Sequence, residues 1–137
     1  MHFYELGKQL TEIEDESRLC EASLRASTSR VYYAAYWAAR IFVEKAGLDV
    51  DSRREGSHWV VLNWYQERNF VNLYKTAYTQ LKRLREKRTQ ADYLIDVMGA
   101  ANWRIVAEDT INDADQFFIT MQHVASKPLP KLRQKGR

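Results

Sequence analysis

The sequence predicts an all-α protein, an antiparallel up-and-down bundle of four to five helices. Two observations carry that expectation. Breakers are scarce: 137 residues hold five Gly and two Pro, and both prolines, Pro128 and Pro130, lie near the C-terminus. A chain so poor in breakers favours long helices. Apolar residues also recur at steps of three and four, and no segment shows the period-two alternation of a strand. No internal repeat of useful length is present. The length fits one domain and can bury a core without staples. We expect the bundle over residues 1–126 and a basic, disordered tail over 127–137.

Each element has its own pattern. In the stretch from His2 to Glu14, Phe3, Leu6, Leu10 and Ile13 share one helical face, and Asp15, Glu16 and Ser17 offer a break and the next N-cap. The second segment, about Arg18 to Ala46, sets Val31, Ala34, Ala35, Ala38, Ile41 and Phe42 on a narrow, alanine-rich face that lets a neighbouring helix approach closely. Gly47 then occupies the place of a left-handed C-terminal residue. The polar run LDVDSRREGS reads as a loop, with Ser57 capping a third helix that starts at His58 or Trp59. Val60, Val61, Trp64 and Tyr65 supply its buried side. After a kink or short loop around Glu67–Asn69, a helix resumes with Phe70, Leu73, Tyr74, Ala77, Leu81 and Leu84 and is expected to end near Arg88. The run from Thr89 to Ala101 reads as a connection. The cleanest period in the chain follows, through Trp103, Val106, Thr110, Ala114, Phe117, Met121 and Val124, until Pro128 stops it.

Composition narrows the function classes. The lone Cys20 leaves no internal disulfide and no cysteine metal site. No zinc spacing, glycine-rich phosphate loop or nucleophile–base motif is present, which sets aside a metalloenzyme, a P-loop ATPase and a serine hydrolase. Neither a metal nor a cofactor is expected. No apolar run reaches the roughly 18 residues of a membrane span, and Met1 opens no signal-peptide pattern. The expected location is cytoplasmic, away from membranes.

The net charge is only +3, but it is unevenly spread. Glu12, Glu14, Asp15 and Glu16 form an acidic patch. From Lys75 to Arg88, the bases Lys75, Lys82, Arg83, Arg85, Lys87 and Arg88 face one acid, Glu86. Lys127, Lys131, Arg133, Lys135 and Arg137 follow Ser126 with no acid at all. Such asymmetry suits an anionic partner. Two explanations compete for the Lys82–Arg88 cluster: a solvated helix end favoured by the macrodipole, or a phosphate-binding corner closed by Asp92 and Tyr93.

Three blocks, ASLRASTSRVYYAAYWAARIFVEKAG at 22–47, SHWVV at 57–61 and RTQADY at 88–93, resemble the HEPN superfamily (higher eukaryotes and prokaryotes nucleotide-binding). Their order and spacing over about residues 1–125 are similar to its small stand-alone prokaryotic branch. The resemblance implies a helical bundle that is usually a homodimer. Many such proteins are metal-independent endoribonucleases of toxin–antitoxin or phage-defence systems. Others bind a partner, often a minimal nucleotidyltransferase. Active relatives carry an Arg followed, after four to six residues, by a His: the Arg holds the scissile phosphate, and the His moves protons as the ribose 2′-hydroxyl attacks. The matching position here is Arg88, but Tyr93 stands where the His would be. A phenol with a pKa of about 10 is far from the neutral range of a general acid–base.

His58 is the histidine that could complete the site with Arg88 and Tyr93, and helix capping is its structural alternative. Arg53 and His58 match the motif spacing by count alone. His2 and His123 have no motif context. Of the adjacent Tyr32 and Tyr33, one ring should enter the core and the other reach the dimer seam or a polar groove, because neighbouring helix positions diverge by about 100°. Packing is the expected role of Tyr32, Tyr36 and Trp37. Asp92 is expected to orient Arg88, and Lys82, Arg83, Arg85 and Lys87 to guide an RNA backbone. Three functions stay open: an RNA-binding protein with or without endoribonuclease activity, a non-catalytic dimeric module that binds a nucleotidyltransferase or a nucleotide, and a purely structural helical adaptor.

Overall fold

The computed structural model describes residues 18–52, 56–93 and 100–131. The expected helix over 2–14, Arg53 and the end of the basic tail lie outside these residues. The described chain is all-α, with four helices: α1 Arg18–Lys45, α2 Ser57–Gln66, α3 Asn72–Tyr93 and α4 Ala100–Ala125. No described helix is long and apolar enough to cross a membrane.

The helices form one main core. Val31, Tyr32, Ala35, Ala39 and Val43 of α1 are buried with Val61 and Tyr65 of α2, Leu81 and Leu84 of α3, and Ala114, Phe117 and Val124 of α4. The inner face of α1 is therefore rotated from the expected stripe: Ile41 is half exposed, while Ala39 and Val43 are fully buried. Along α4 the expected period holds, with Trp103, Thr110, Ala114, Phe117, Met121 and Val124 all buried.

Helix directions follow from the contacts. The start of α1 and the end of α3 meet the start of α4 in a second cluster of Leu24, Ala91, Trp103 and Ala107. At the other end of α1, Phe42 packs against Tyr74 near the start of α3. Thus α3 runs against α1 and α4. The short α2 runs alongside α1, with His58 beside Tyr36 and Tyr65 donating to the Ala39 carbonyl at 2.9 Å.

The segment between α1 and α2 must therefore double back. Gly47 starts the reversal at φ +103°. Its N–H bonds the Glu44 carbonyl at 3.0 Å, and the Leu48 N–H bonds the Val43 carbonyl at 3.1 Å, the paired bonds of a Schellman cap. Val50 is buried in the core, and Arg40 holds the returning strand through Asp51 at 2.9 Å. Ser57 is not the cap of α2: Gly56 holds that position, and no side chain bonds the free N–H groups.

α3 also differs from the sequence expectation, since it continues past Arg88 to Tyr93. Tertiary contacts supply the reason. Ala91 is buried against Leu24 and Trp103. Its carbonyl, one of the last four that a helix leaves unpaired, accepts from Arg25 Nε of α1 at 2.8 Å. Arg25 also lies over Trp103, 5.5 Å from the ring centroid.

Candidate functional site

The site grows from one face of α1. Tyr32, Tyr36 and Arg40 follow at steps of four, so they stand one above another. Tyr32 and Tyr36 are buried, and their rings are stacked with centroids 6.2 Å apart. Tyr33 points to a different side and is only partly buried. The fork expected of this tyrosine pair is therefore present.

The first turn of α2 lays His58 onto these rings. Its imidazole is stacked 4.1 Å from Tyr36 and 5.5 Å from Tyr32, and meets Tyr33 edge-on at 5.8 Å. The Tyr32 hydroxyl and His58 Nδ1 are 2.5 Å apart. Burial first, then the charges of Arg88, Arg85 and Arg40, lower the His58 pKa to about 4, so the ring is neutral at pH 7. Burial likewise raises the Tyr32 pKa and keeps its phenol protonated. With no other bond to satisfy that buried hydroxyl, the phenol donates to Nδ1, and the His58 proton sits on Nε2. His58 thus offers a donor to the surroundings, and it does not cap its helix.

Arg88 arrives from α3. Its Nη2 donates to the Tyr33 hydroxyl at 2.8 Å, and its guanidinium lies 5.2 Å from the Tyr33 ring centroid and 5.9 Å from that of Tyr32. Asp92, one turn further along α3, places Oδ2 2.8 Å from Arg88 Nε. The N–H is not aligned on that oxygen, and the buried Nε makes no hydrogen bond. An Arg with an unsatisfied buried donor is ready for a further acceptor. Arg88 lies inside α3, a turn before its end, and Asp92 pairs with it along the same helix face. Tyr93 closes α3, but its side chain lies outside the described residues.

The basic cluster divides. Arg85 faces inward, close enough to act on both His58 and Tyr32. Lys82 is exposed, 5.9 Å from the Tyr78 ring centroid. Arg83 and Lys87 turn the other way and share Asp113 of α4, Arg83 at 3.3 Å and Lys87 in a close ion pair. Those two tie α3 to α4 and do not join the corner. The structure thus brings together His58, Tyr33, Arg85, Arg88 and Asp92. No family model, curated protein or solved structure matches this chain.

Tyr36 and Arg40 are the members that sequence reasoning assigned elsewhere or passed over. Their four-residue spacing from Tyr32 was the available signal. Arg40 bonds the Tyr36 hydroxyl at 3.2 Å while pairing with Glu44 at 2.5 Å and Asp51 at 2.9 Å. These two acids compensate its charge locally, so Arg85 and Arg88 give the corner its positive character. Among the described residues no group of three His, Cys, Asp or Glu side chains could hold a metal ion. A larger apolar groove of about 720 Å³ lies between the C-terminal ends of α1 and α4, lined by Ile41, Phe42, Phe118 and Met121. His58, Arg85 and Arg88 are not among its lining residues.

Proposed function

We propose that this protein is a HEPN-like RNA-binding protein that holds a phosphodiester between Arg88 and His58. One observation carries the reading: a neutral histidine from α2 and an arginine from α3 converge on the adjacent Tyr32 and Tyr33 of α1. A phosphate oxygen would accept from Arg88, replacing part of the Asp92 contact, and from His58 Nε2–H. Such charge-assisted bonds are roughly twice as strong as neutral ones. Neutralising Arg85 and Arg88 would also make protonation of His58 easier, so an anion and a proton would favour each other's binding.

The same corner bears on metal-independent cleavage. In that reaction the 2′-oxygen attacks phosphorus, the 2′-hydroxyl proton goes to a base, and the departing 5′-oxygen takes up a proton, leaving a 2′,3′-cyclic phosphate. Neutral His58 can donate a hydrogen bond from Nε2 to the phosphate, but it is no general acid in that form, since losing this proton would leave an imidazolate, and with Nδ1 bonded to the Tyr32 hydroxyl it is no free base. Wild-type cleavage is therefore expected to be weak, and Tyr93→His to raise it. A toxin–antitoxin or phage-defence role goes with this reading, as does a two-fold homodimer. Trp37 and Ile41, one turn apart on α1 and 40% and 50% exposed, support the dimer. An interface of that kind usually buries over about 1,000 Å², and light scattering at micromolar concentration should return twice the chain mass.

A non-catalytic module that binds a nucleotidyltransferase or a nucleotide is the second reading. The partners already present at Arg88 and at His58 Nδ1 favour it. Titration of labelled RNA at low salt separates the two. Arg88→Ala should weaken RNA binding with the helical content intact. Absence of RNA binding by an intact wild-type protein would move the answer to the second reading.

A further inference from the structure

A second feature borders the corner. Between α2 and α3 lies a groove of about 380 Å³, lined by Leu62, Lys82, Arg85, Glu86, Thr89 and Gln90. That volume is at the small end for a ligand site. Arg85 belongs both to this groove and to the charged surroundings of His58. At about 100° per residue, Arg85 lies about 60° round α3 from Arg88, and the groove continues on its far side.

The lining sorts into two rows along α3. Lys82, Arg85 and Thr89 make one, and Glu86 and Gln90 the other. The first row is cationic, and Arg85 pairs with no carboxylate among the described residues. The second row offers an acceptor and an amide and would repel a phosphate at Glu86. Leu62 of α2 supplies the apolar floor. One turn earlier on the same side of α2, Trp59 is 48% exposed and has no ring contact among the described residues. A cationic row, an amide row and an exposed indole match the three parts of a nucleotide: phosphate, base edge and base face.

Resting on the RNA-binding reading, we propose that this groove is the subsite for an unpaired nucleotide next to the phosphate held at Arg88. Lys82 and Arg85 follow the backbone, Trp59 stacks on the base, and Gln90 bonds its edge. The preferred substrate is single-stranded RNA, because a paired base has no free face for Trp59 and no free edge for Gln90.

The test is fluorescence anisotropy with a labelled single-stranded RNA decamer and with the same strand annealed to its complement. Wild-type protein, Arg88→Ala, Trp59→Ala, Gln90→Ala and Lys82→Ala are compared over a salt series, with circular dichroism confirming the fold of each. Trp59, Gln90 and Lys82 are exposed, so their variants should fold. Trp59→Ala should weaken single-strand binding by roughly tenfold, the scale of losing one stacked base, and leave duplex binding nearly unchanged. Lys82→Ala should lower the salt slope by about one. Gln90→Ala should narrow the affinity differences among the four homopolymers. Arg88-dependent binding that is equal for single strand and duplex and unchanged in Trp59→Ala would overturn the groove and leave the phosphate corner standing. A folded wild type that binds neither RNA at low salt would overturn both.

Discussion

His58 takes its chemistry from neighbours on three helices. Tyr32 and Tyr36 bury it from α1, Arg85 and Arg88 repel its positive form from α3, and its own place in the first turn of α2 sets the stacking. Its folded pKa of about 4 lies below the unfolded value of about 6.5. The unfolded chain therefore binds the proton first. Stability should be complete above about pH 6.5, fall as the pH drops toward 4, and level off below that. The loss is on the order of 1–2 kcal/mol, since solvent screens a half-buried ring. Urea unfolding of wild type and His58→Gln at pH 7 and pH 4.5 measures it, and the loss of stability between the two pH values should be smaller in the variant by that amount. An NMR titration should place the His58 midpoint near 4, and Arg88→Ala or bound RNA should move it upward. A midpoint near 6.5 in the free protein would contradict the burial described for this ring.

At the scale of the element, the telling feature is the last turn of α3. Sequence reasoning ends the helix near Arg88 and reads the run from Thr89 to Ala101 as a connection. Ala91 is the residue that extends it, by fitting under Leu24 and Trp103, and Arg25 satisfies its carbonyl. The added turn carries Asp92 to Arg88, one helical turn away. Pairs at this spacing contribute only about 0.2–0.5 kcal/mol to a helix, so Asp92→Ala should change stability little. It should, however, release Arg88 for an incoming phosphate. Asp92→Ala is therefore expected to bind single-stranded RNA several-fold tighter than wild type, the reverse of Arg88→Ala. Anisotropy at a fixed low salt concentration reads both, and weaker binding in Asp92→Ala would show that the carboxylate orients Arg88 for its ligand.

At the scale of the molecule, α1, α3 and α4 are joined at one end by the small cluster around Trp103 and along their length by the larger core. The corner sits where α1, α2 and α3 meet, so its geometry depends on both. Trp103 is fully buried. Trp103→Ala should cost about 3–5 kcal/mol, read by chemical denaturation. Arg88 is one turn from Ala91, so RNA affinity should fall further than the small change expected of a remote core variant. An unchanged affinity in folded Trp103→Ala would separate the corner from that cluster.

Local information determined much of this protein. Scarce breakers and three-to-four spacing gave the helical class, the glycine reversal at Gly47 and the buried face of α4, because those properties depend on neighbours within a turn or two. The charge pattern pointed to Arg88 and Asp92, the diverging tyrosine pair to Tyr33, and the resemblance to the HEPN superfamily to His58. Only the tertiary structure decided which of them meet. It returned the chain after α1 so that α2 lies beside Tyr32 and Tyr36, sent Lys87 and Arg83 to Asp113, and carried α3 on to Tyr93. Each outcome depends on partners beyond the reach of a helical turn, 26 residues apart for Tyr32 with His58 and for Lys87 with Asp113, and 66 for Arg25 with Ala91. A helical period reports which side of a helix is apolar, but the direction of each polar side chain is set by the charge or ring that another helix brings to it.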